Sequence, residues 1–381
     1  MDALKPARAW HATRRILAVR LDNLGDVLMT TPALRALQAD GARHVTLLAS
    51  GAGAAAAPFI PEVDALMTTT APWFPAAPPE PAALLETVAA LREAAFDAAV
   101  IFTVYSQSAQ PAALLCWLAG IPLRLAHCRE NPYHLLSDWI PEPEPHELLR
   151  HEVRRQLDLV GAVGCRTADE HLSFRIPPVD TLHALVKLRR AGVDPERRWI
   201  VLHPGASAPS RRYPAEHFAA VAQRLAALPE AAGGLQLVFT GEAHERALID
   251  AIRSRVDASV ASLAGELSLG ELAAVIAPAA LLVANNTGPV HLAAALGTPV
   301  VDLYALTNPQ HAPWQVPHRV LYHDVPCRFC YRSECPQGHH DCLRLLDPER
   351  IACAARELLD RGAERSAQPV AAVPVAPVSG G

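Results

Sequence analysis

The chain has 381 residues, 51% of them hydrophobic, and a formal net charge of −5, which suggests about two domains of roughly 100–200 residues and no nucleic-acid partner. Its best apolar run, Leu272 to Ala284, contains Pro278 and is well short of the ~20 residues of a membrane span. The apolar run after the basic N-terminus breaks at Arg20 and Asp22, so no secretory signal is expected and a cytoplasmic location is.

Residues 1–13 are expected to be disordered. From residue 14, short apolar strands alternate with amphipathic helices, which predicts an α/β chain with parallel sheets. The first unit, 14–178, reads as strand 15–21, helix 26–39, strand 44–49, helix 51–57, strand 64–68, helix 82–94, strand 97–103, helix 109–119, strand 123–127 and helix 146–163. Pro72 to Pro81 reads as a loop. The second unit, 179–346, follows Pro177-Pro178. It reads as helix 180–191, strand 198–203, helix 214–228, strand 235–239, helix 243–254, strand 259–262, helix 268–276, strand 280–284, helix 288–296 and strand 299–303. A helix at 347–360, in a segment running to 362, carries Ile351, Ala354 and Leu358 on one face and is expected to pack back across the junction. Residues 363–381 are expected to form a disordered tail. Each unit is doubly wound, so a ligand belongs in the crevice between them, at the carboxyl ends of the strands.

Four strand-to-helix junctions carry chemistry. The first runs from Ile16 through Asp22, Asn23 and Gly25 to Asp26 in the first turn of a helix. A glycine loop feeding a helix offers free backbone N–H groups to an anion, and Asp26 adds a carboxylate placed to act as a base. The second, His203 to Pro214, holds Gly205, Ser207 and the pair Arg211-Arg212; guanidinium groups grip phosphate oxygens in pairs and keep their charge. In the third, a buried strand runs into Asn286-Thr287-Gly288-Pro289, with His291 in the first turn that follows. The amides of Thr287 and Gly288 are candidates for a phosphate. The fourth, Phe239 to Glu245, offers Glu242 and Glu245 as partners for ribose hydroxyls. First-turn acids complementing the helix dipole are the plainer reading there. No Gly-x-Gly-x-x-Gly follows a strand, and neither a P-loop nor a Gly-x-Ser-x-Gly elbow occurs, which leaves dehydrogenase, NTPase and hydrolase readings without their usual support.

Cys116, Cys128 and Cys165 read as packing residues. Cys327-x2-Cys330-x4-Cys335-x6-Cys342, with His339 and His340 between, could hold a structural zinc. The alternative is reduced cysteines closing a loop, since the spacing lacks two Cys-x-x-Cys knuckles. Arg8, Arg14, Arg15 and Arg20 give the N-terminal region a positive bias that would favour an anionic membrane surface.

Taken together, Arg20-Leu21-Asp22-Asn23-Leu24-Gly25-Asp26 with Thr30-Thr31-Pro32, His203-Pro204-Gly205 with Arg211-Arg212-Tyr213-Pro214, and Asn286-Thr287-Gly288-Pro289-Val290-His291 resemble the signatures of the family 9 glycosyltransferases, the lipopolysaccharide heptosyltransferases and their relatives. The resemblance covers about residues 15–360. It implies a GT-B fold: two Rossmann-like domains facing a cleft, the first on the acceptor side and the second binding the nucleotide sugar. It implies inverting transfer of heptose from ADP-heptose to an inner-core or related envelope saccharide, with no cofactor required. Asp26 would be the catalytic base, near Asp22, Asn23 and Gly25 on the acceptor side. Arg211 would take the family's phosphate-binding lysine position, with Arg212, Ser207, Glu242, Glu245, Asn286, Thr287, Gly288 and His291 around the donor. Asn286 stands where the family has an aspartate. The acceptor would be lipid-linked, at the inner face of the inner membrane. The other readings are a hydrolysing sugar-nucleotide epimerase and a non-catalytic nucleotide-sugar-binding protein.

Overall fold

Strand β1 (Arg15–Arg20) is buried at every residue but the first, as expected of a strand covered on both faces of a parallel sheet. The computed structural model describes residues 9–39, 41–73, 80–228 and 234–367. After β1 come helix α1 (Leu24–Gln38), β2 (His44–Ala49), β3 (Ala65–Thr68), α2 (Pro81–Glu93), β4 (Ala98–Ile101), α3 (Gln110–Leu118), β5 (Leu123–Cys128), β6 (Asp138–Pro141) and α4 (Glu152–Gly161). Their six strands form one parallel sheet in the order β3-β2-β1-β4-β5-β6. Ile16 sits level with Val45 on one side and Ala98 on the other.

The second lobe repeats that plan. It contains α5 (Pro178–Arg190), β7 (Trp199–His203), α6 (Ala215–Ala226), β8 (Gln236–Phe239), α7 (Arg246–Arg253), β9 (Ala261–Ser262), α8 (Leu269–Ile276), β10 (Leu281–Asn285), α9 (Gly288–Leu296), β11 (Val300–Leu303), β12 (His318–Leu321) and α10 (Pro348–Ala367). Its sheet runs β12-β11-β10-β7-β8-β9, the first sheet's order read from the other end. In each sheet the strand order reverses at the first strand, β1 or β7, and such switch points open a crevice at the carboxyl edge. The two lobes are the Rossmann-like halves of a GT-B fold.

Several expectations need correction. Residues 9–13 are ordered: Trp10 is fully buried and its indole N–H donates to Asp138 at 3.1 Å. Residues 1–8 and 368–381 lie outside the described residues. The helix expected over 146–163 begins only at Glu152, where His151 Nδ1 accepts the N–H of Val153. The preceding stretch is instead tied down by ion pairs from Arg150 to Glu144 and from Arg155 to Glu142 and Glu144. Among the described residues helix α10 packs within the second lobe and not across the junction. Ile351, Ala355 and Leu358 join the core of the second lobe with Ile200, Phe218 and Phe239, and the helix continues to Ala367, past the expected start of the tail. Arg20 cannot serve a membrane surface, because it is fully buried; Arg14 and Arg15 are exposed, and Arg8 lies outside the described residues. No described helix is long and apolar enough to cross a membrane.

The lobes touch directly. Gln310 of the second lobe donates to Glu144 and to the carbonyl of Arg150, and its own carbonyl accepts the N–H of Glu152. Helices α1 and α9 meet where the crevice begins.

Candidate active site

The crevice is a cleft of about 730 Å³ with both lobes in its walls. The first lobe contributes Asn23, Gly25 and Asp26; the second contributes Ser207, Arg211, Glu242, Glu245, Asn286, Thr287, Gly288 and His291. Two of the predicted residues lie elsewhere. Arg212 is exposed and braces its own loop by donating to the carbonyl of Ala206 at 2.8 Å. Asp22 is buried behind the cleft, in the wall of a separate cavity of about 290 Å³ that also holds Trp73, Thr103, Gln107 and Ser108.

Asp26 is the third residue of α1. Its Oδ2 accepts the N–H of Asn23 at 3.2 Å in a capping box, which fixes the carboxylate where the chain leaves the sheet. Its Oδ1 lies 3.3 Å from the guanidinium of Arg20. Arg20 also reaches Asp22 at 3.0 Å and Glu152 at 2.9 Å. Burial opposes its charge, but the three carboxylates outweigh that and hold it firmly protonated. Burial raises the Asp26 carboxyl above the usual carboxylate range, with Arg20 pulling the other way and Glu152 adding to the rise. Glu152 goes down instead: burial disfavours its charge, yet Arg20 and Arg155 more than compensate. One guanidinium thus organises three acids, and only Asp26 among them lines the cleft.

Across the cleft, Arg211 ends a short turn, Pro209–Arg211. Its charge is felt at Asp26, His291, Asp302 and His311, which puts it near the centre of the site. Helix α9 points its N-terminus into the same space. Thr287 does not cap it: the hydroxyl donates to the carbonyl of Asn285 at 3.2 Å. Among the described residues the first amides of α9 therefore lack a side-chain partner, the condition under which a helix end takes an anion. Glu245 is spent on structure, since its Oε2 accepts the N–H of Glu242 at 2.9 Å, whereas the Glu242 side chain is 78% exposed at the rim. Asp302, fully buried on β11, is pushed up to about 8 by burial, against the pull of Asn286 and Arg211.

The lobes are held apart by no more than a glycine at the base of the site. A Cβ on Gly25 would lie 2.6 Å from Cδ2 of the buried His291 ring. Gly25→Ala carries no backbone penalty in a helix, so its cost is steric and falls on the approach of α1 to α9. We expect kcat/KM to fall at least tenfold while Tm stays within a few degrees. Steady-state kinetics beside a melting curve checks this, and a variant with wild-type kinetics would show that lobe spacing is not critical.

Sequence reasoning missed Arg20, Glu152 and Asp302 as parts of the site. Asp302 had a readable signal, a lone carboxylate inside the apolar run Val300-Val301-Asp302-Leu303. The zinc that Cys327, Cys330, Cys335 and Cys342 could hold, set against reduced cysteines closing a loop, finds no support. Among the described residues no three His, Cys, Asp or Glu side chains are grouped to hold a metal, although Cys327 lies 3.7 Å from His339 and Cys327, Cys330 and Cys335 are close enough to Cys342 to influence its thiol.

A family model described as glycosyltransferase family 9 (heptosyltransferase) matches residues 85–340. Lipopolysaccharide heptosyltransferase 2 of Escherichia coli K12 is 30% identical over 278 residues, covering 68% of this chain and 75% of that protein. The solved structure of E. coli ADP-heptose lps heptosyltransferase II is similar with a TM-score of 0.70 and 25% identity, over 92% of this chain and 99% of that one. A family 9 glycosyltransferase from Veillonella parvula has the same fold, with a TM-score of 0.75 at 21% identity over 91% and 97% of the two chains. With its cleft, its half-buried acid opposite an arginine and an open helix end, and these matches over most of its length, the chain belongs to glycosyltransferase family 9.

Proposed function

We propose that this glycosyltransferase moves heptose from ADP-heptose to a saccharide of the lipopolysaccharide inner core, with inversion at the anomeric carbon. The observation that carries the reading is the placement of Asp26 on one wall of the cleft and of Arg211 with the α9 N-terminus on the other. The acceptor hydroxyl gives its proton to the Asp26 carboxylate as its oxygen bonds to the anomeric carbon. The bond from that carbon to the β-phosphate oxygen breaks, and ADP leaves with the electron pair. Arg211 and the amides of Thr287 and Gly288 stabilise the charge that develops there. Glu242 at the rim takes a ribose hydroxyl. The acceptor enters from the first lobe past the cavity beside Asp22, and its lipid end stays at the inner face of the inner membrane, where the exposed Arg14 and Arg15 face anionic headgroups.

Arg211→Ala tests the donor half. A charge-assisted hydrogen bond contributes about 1.5–3 kcal/mol, so calorimetry should find ADP bound roughly 10–100-fold more weakly. Unchanged ADP affinity would remove Arg211 from the phosphate site. Transfer from ADP-heptose to a heptose-deficient core, with no donor consumed in the acceptor's absence, tests the whole reading. Epimerisation or hydrolysis without acceptor would overturn it.

A further inference from the structure

Strand β11 is Val300-Val301-Asp302-Leu303, apolar except for one carboxylate that is fully buried. Asp302 lies beside Ala284 in the β10 register, two residues before Asn286 leaves that strand for the cleft. The Asn286 amide donates one hydrogen to Asp302 Oδ2 at 2.8 Å and the other to the carbonyl of His311 at 2.9 Å. A carboxamide has two N–H hydrogens, so its donor capacity is filled. The opposite orientation would put the amide oxygen against the carbonyl oxygen of His311, so the hydrogen-bond partners fix which way the group faces. Asn286 lines the cleft beside Thr287. What it can offer a ligand is its Oδ1, which accepts hydrogen bonds and donates none.

The acid behind it is costly. Asp302 Oδ1 is buried with no partner among the described residues, a state folded chains avoid. The group that uses the carboxylate is Asn286.

We infer that Asp302 is a positioning residue for the donor sugar: it locks the Asn286 amide so that Oδ1 accepts a hydrogen bond from one sugar hydroxyl of the nucleotide-sugar donor. This rests on the proposed use of ADP-heptose. Because the acceptor is uncharged and the carboxylate is set one strand behind it, the site discriminates a hydroxyl without placing a full negative charge beside the diphosphate.

The test is calorimetry of ADP and of ADP-heptose on the wild-type protein, Asp302→Ala and Asp302→Asn, with donor KM and kcat. Asp302→Ala removes one of the two partners that hold the amide and leaves it only the carbonyl of His311, so its orientation is less firmly set. ADP-heptose should then bind at least tenfold more weakly, with ADP unchanged within about twofold, and KM should rise more than kcat falls. Asp302→Asn keeps an oxygen for Asn286 and should bring ADP-heptose affinity back within about threefold of wild type. Loss of the same factor for ADP and ADP-heptose would overturn the inference, as would no loss for either, or Asp302→Asn behaving as Asp302→Ala. If Asp302→Ala shows no cooperative melt, Asn286→Ala replaces it with the same expected split. Wild-type protein that fails to bind ADP-heptose would remove the functional reading and this inference with it; normal wild-type binding with no split in the variants would remove this inference alone.

Discussion

Asp26→Asn should lower kcat by about 10²–10⁴, the usual contribution of a positioned general base, while ADP binds within about twofold of wild type. The substitution is close to isosteric. An amide oxygen can still accept the Asn23 N–H that caps α1, so the start of the helix survives. Arg20 keeps two carboxylate partners, Asp22 and Glu152. What the variant loses is the basic oxygen in the cleft. Single-turnover measurements with ADP-heptose and acceptor separate this loss from product release, since saturation with donor would be retained and only the transfer step would slow. A transfer step within tenfold of wild type would take the base assignment away from Asp26.

The carboxyl edges of both sheets were legible from sequence because their signals are local. A buried apolar run, a glycine or asparagine turn and a helix start within about ten residues suffice to place Asp26, Arg211 and Thr287 at strand ends, and doubly wound topology brings such ends together. What was not legible depends on contacts far apart in the chain. Arg20, on β1, reads as a surface cation until Glu152, on helix α4, is placed 2.9 Å from it. Arg211 and Arg212 are indistinguishable as a pair; only the short turn ending at Arg211 sends one guanidinium toward the cleft and the other to the carbonyl of Ala206. Strands β6 and β12 have four residues each and lie at sheet edges, where short runs with half-exposed side chains carry little period. Residues 146–151 look amphipathic, yet Glu142 and Glu144 are claimed by Arg150 and Arg155, and those ion pairs hold an irregular segment in place of a first helical turn. Asn286 looked like a lost carboxylate. The structure instead supplies a buried one through Asp302, on a neighbouring strand.

Arg20→Met and Glu152→Gln should move the acid limb of kcat/KM in opposite directions. The base must be ionised, so activity falls as pH drops through the Asp26 pKa. In the wild type burial raises that pKa, Arg20 lowers it and Glu152 raises it. Removing Arg20 therefore lifts the limb to higher pH, and removing the Glu152 charge shifts it to lower pH. Stability separates the two variants as well. Arg20→Met leaves Asp22, Asp26 and Glu152 buried without their shared cation, and breaking such a pair costs about 3–5 kcal/mol at neutral pH. These acids then favour the protonated form in the folded state, so the deficit should shrink as pH falls and they take up protons. Glu152→Gln leaves Arg20 with Asp22 and Asp26 and preserves an oxygen for Gln156, so it should cost far less. Glu152 has a depressed pKa in the folded protein, so its own contribution is present above its unfolded value near 4.5 and lost as pH falls through the lower folded one; the gap between this variant and wild type should therefore close in acid. Rate profiles from about pH 5 to 9, with denaturant titrations extended down to about pH 3, read both effects. Limbs that shift in the same direction, or that stay fixed while stability changes, would mean that the group titrating in catalysis is not the acid held by Arg20.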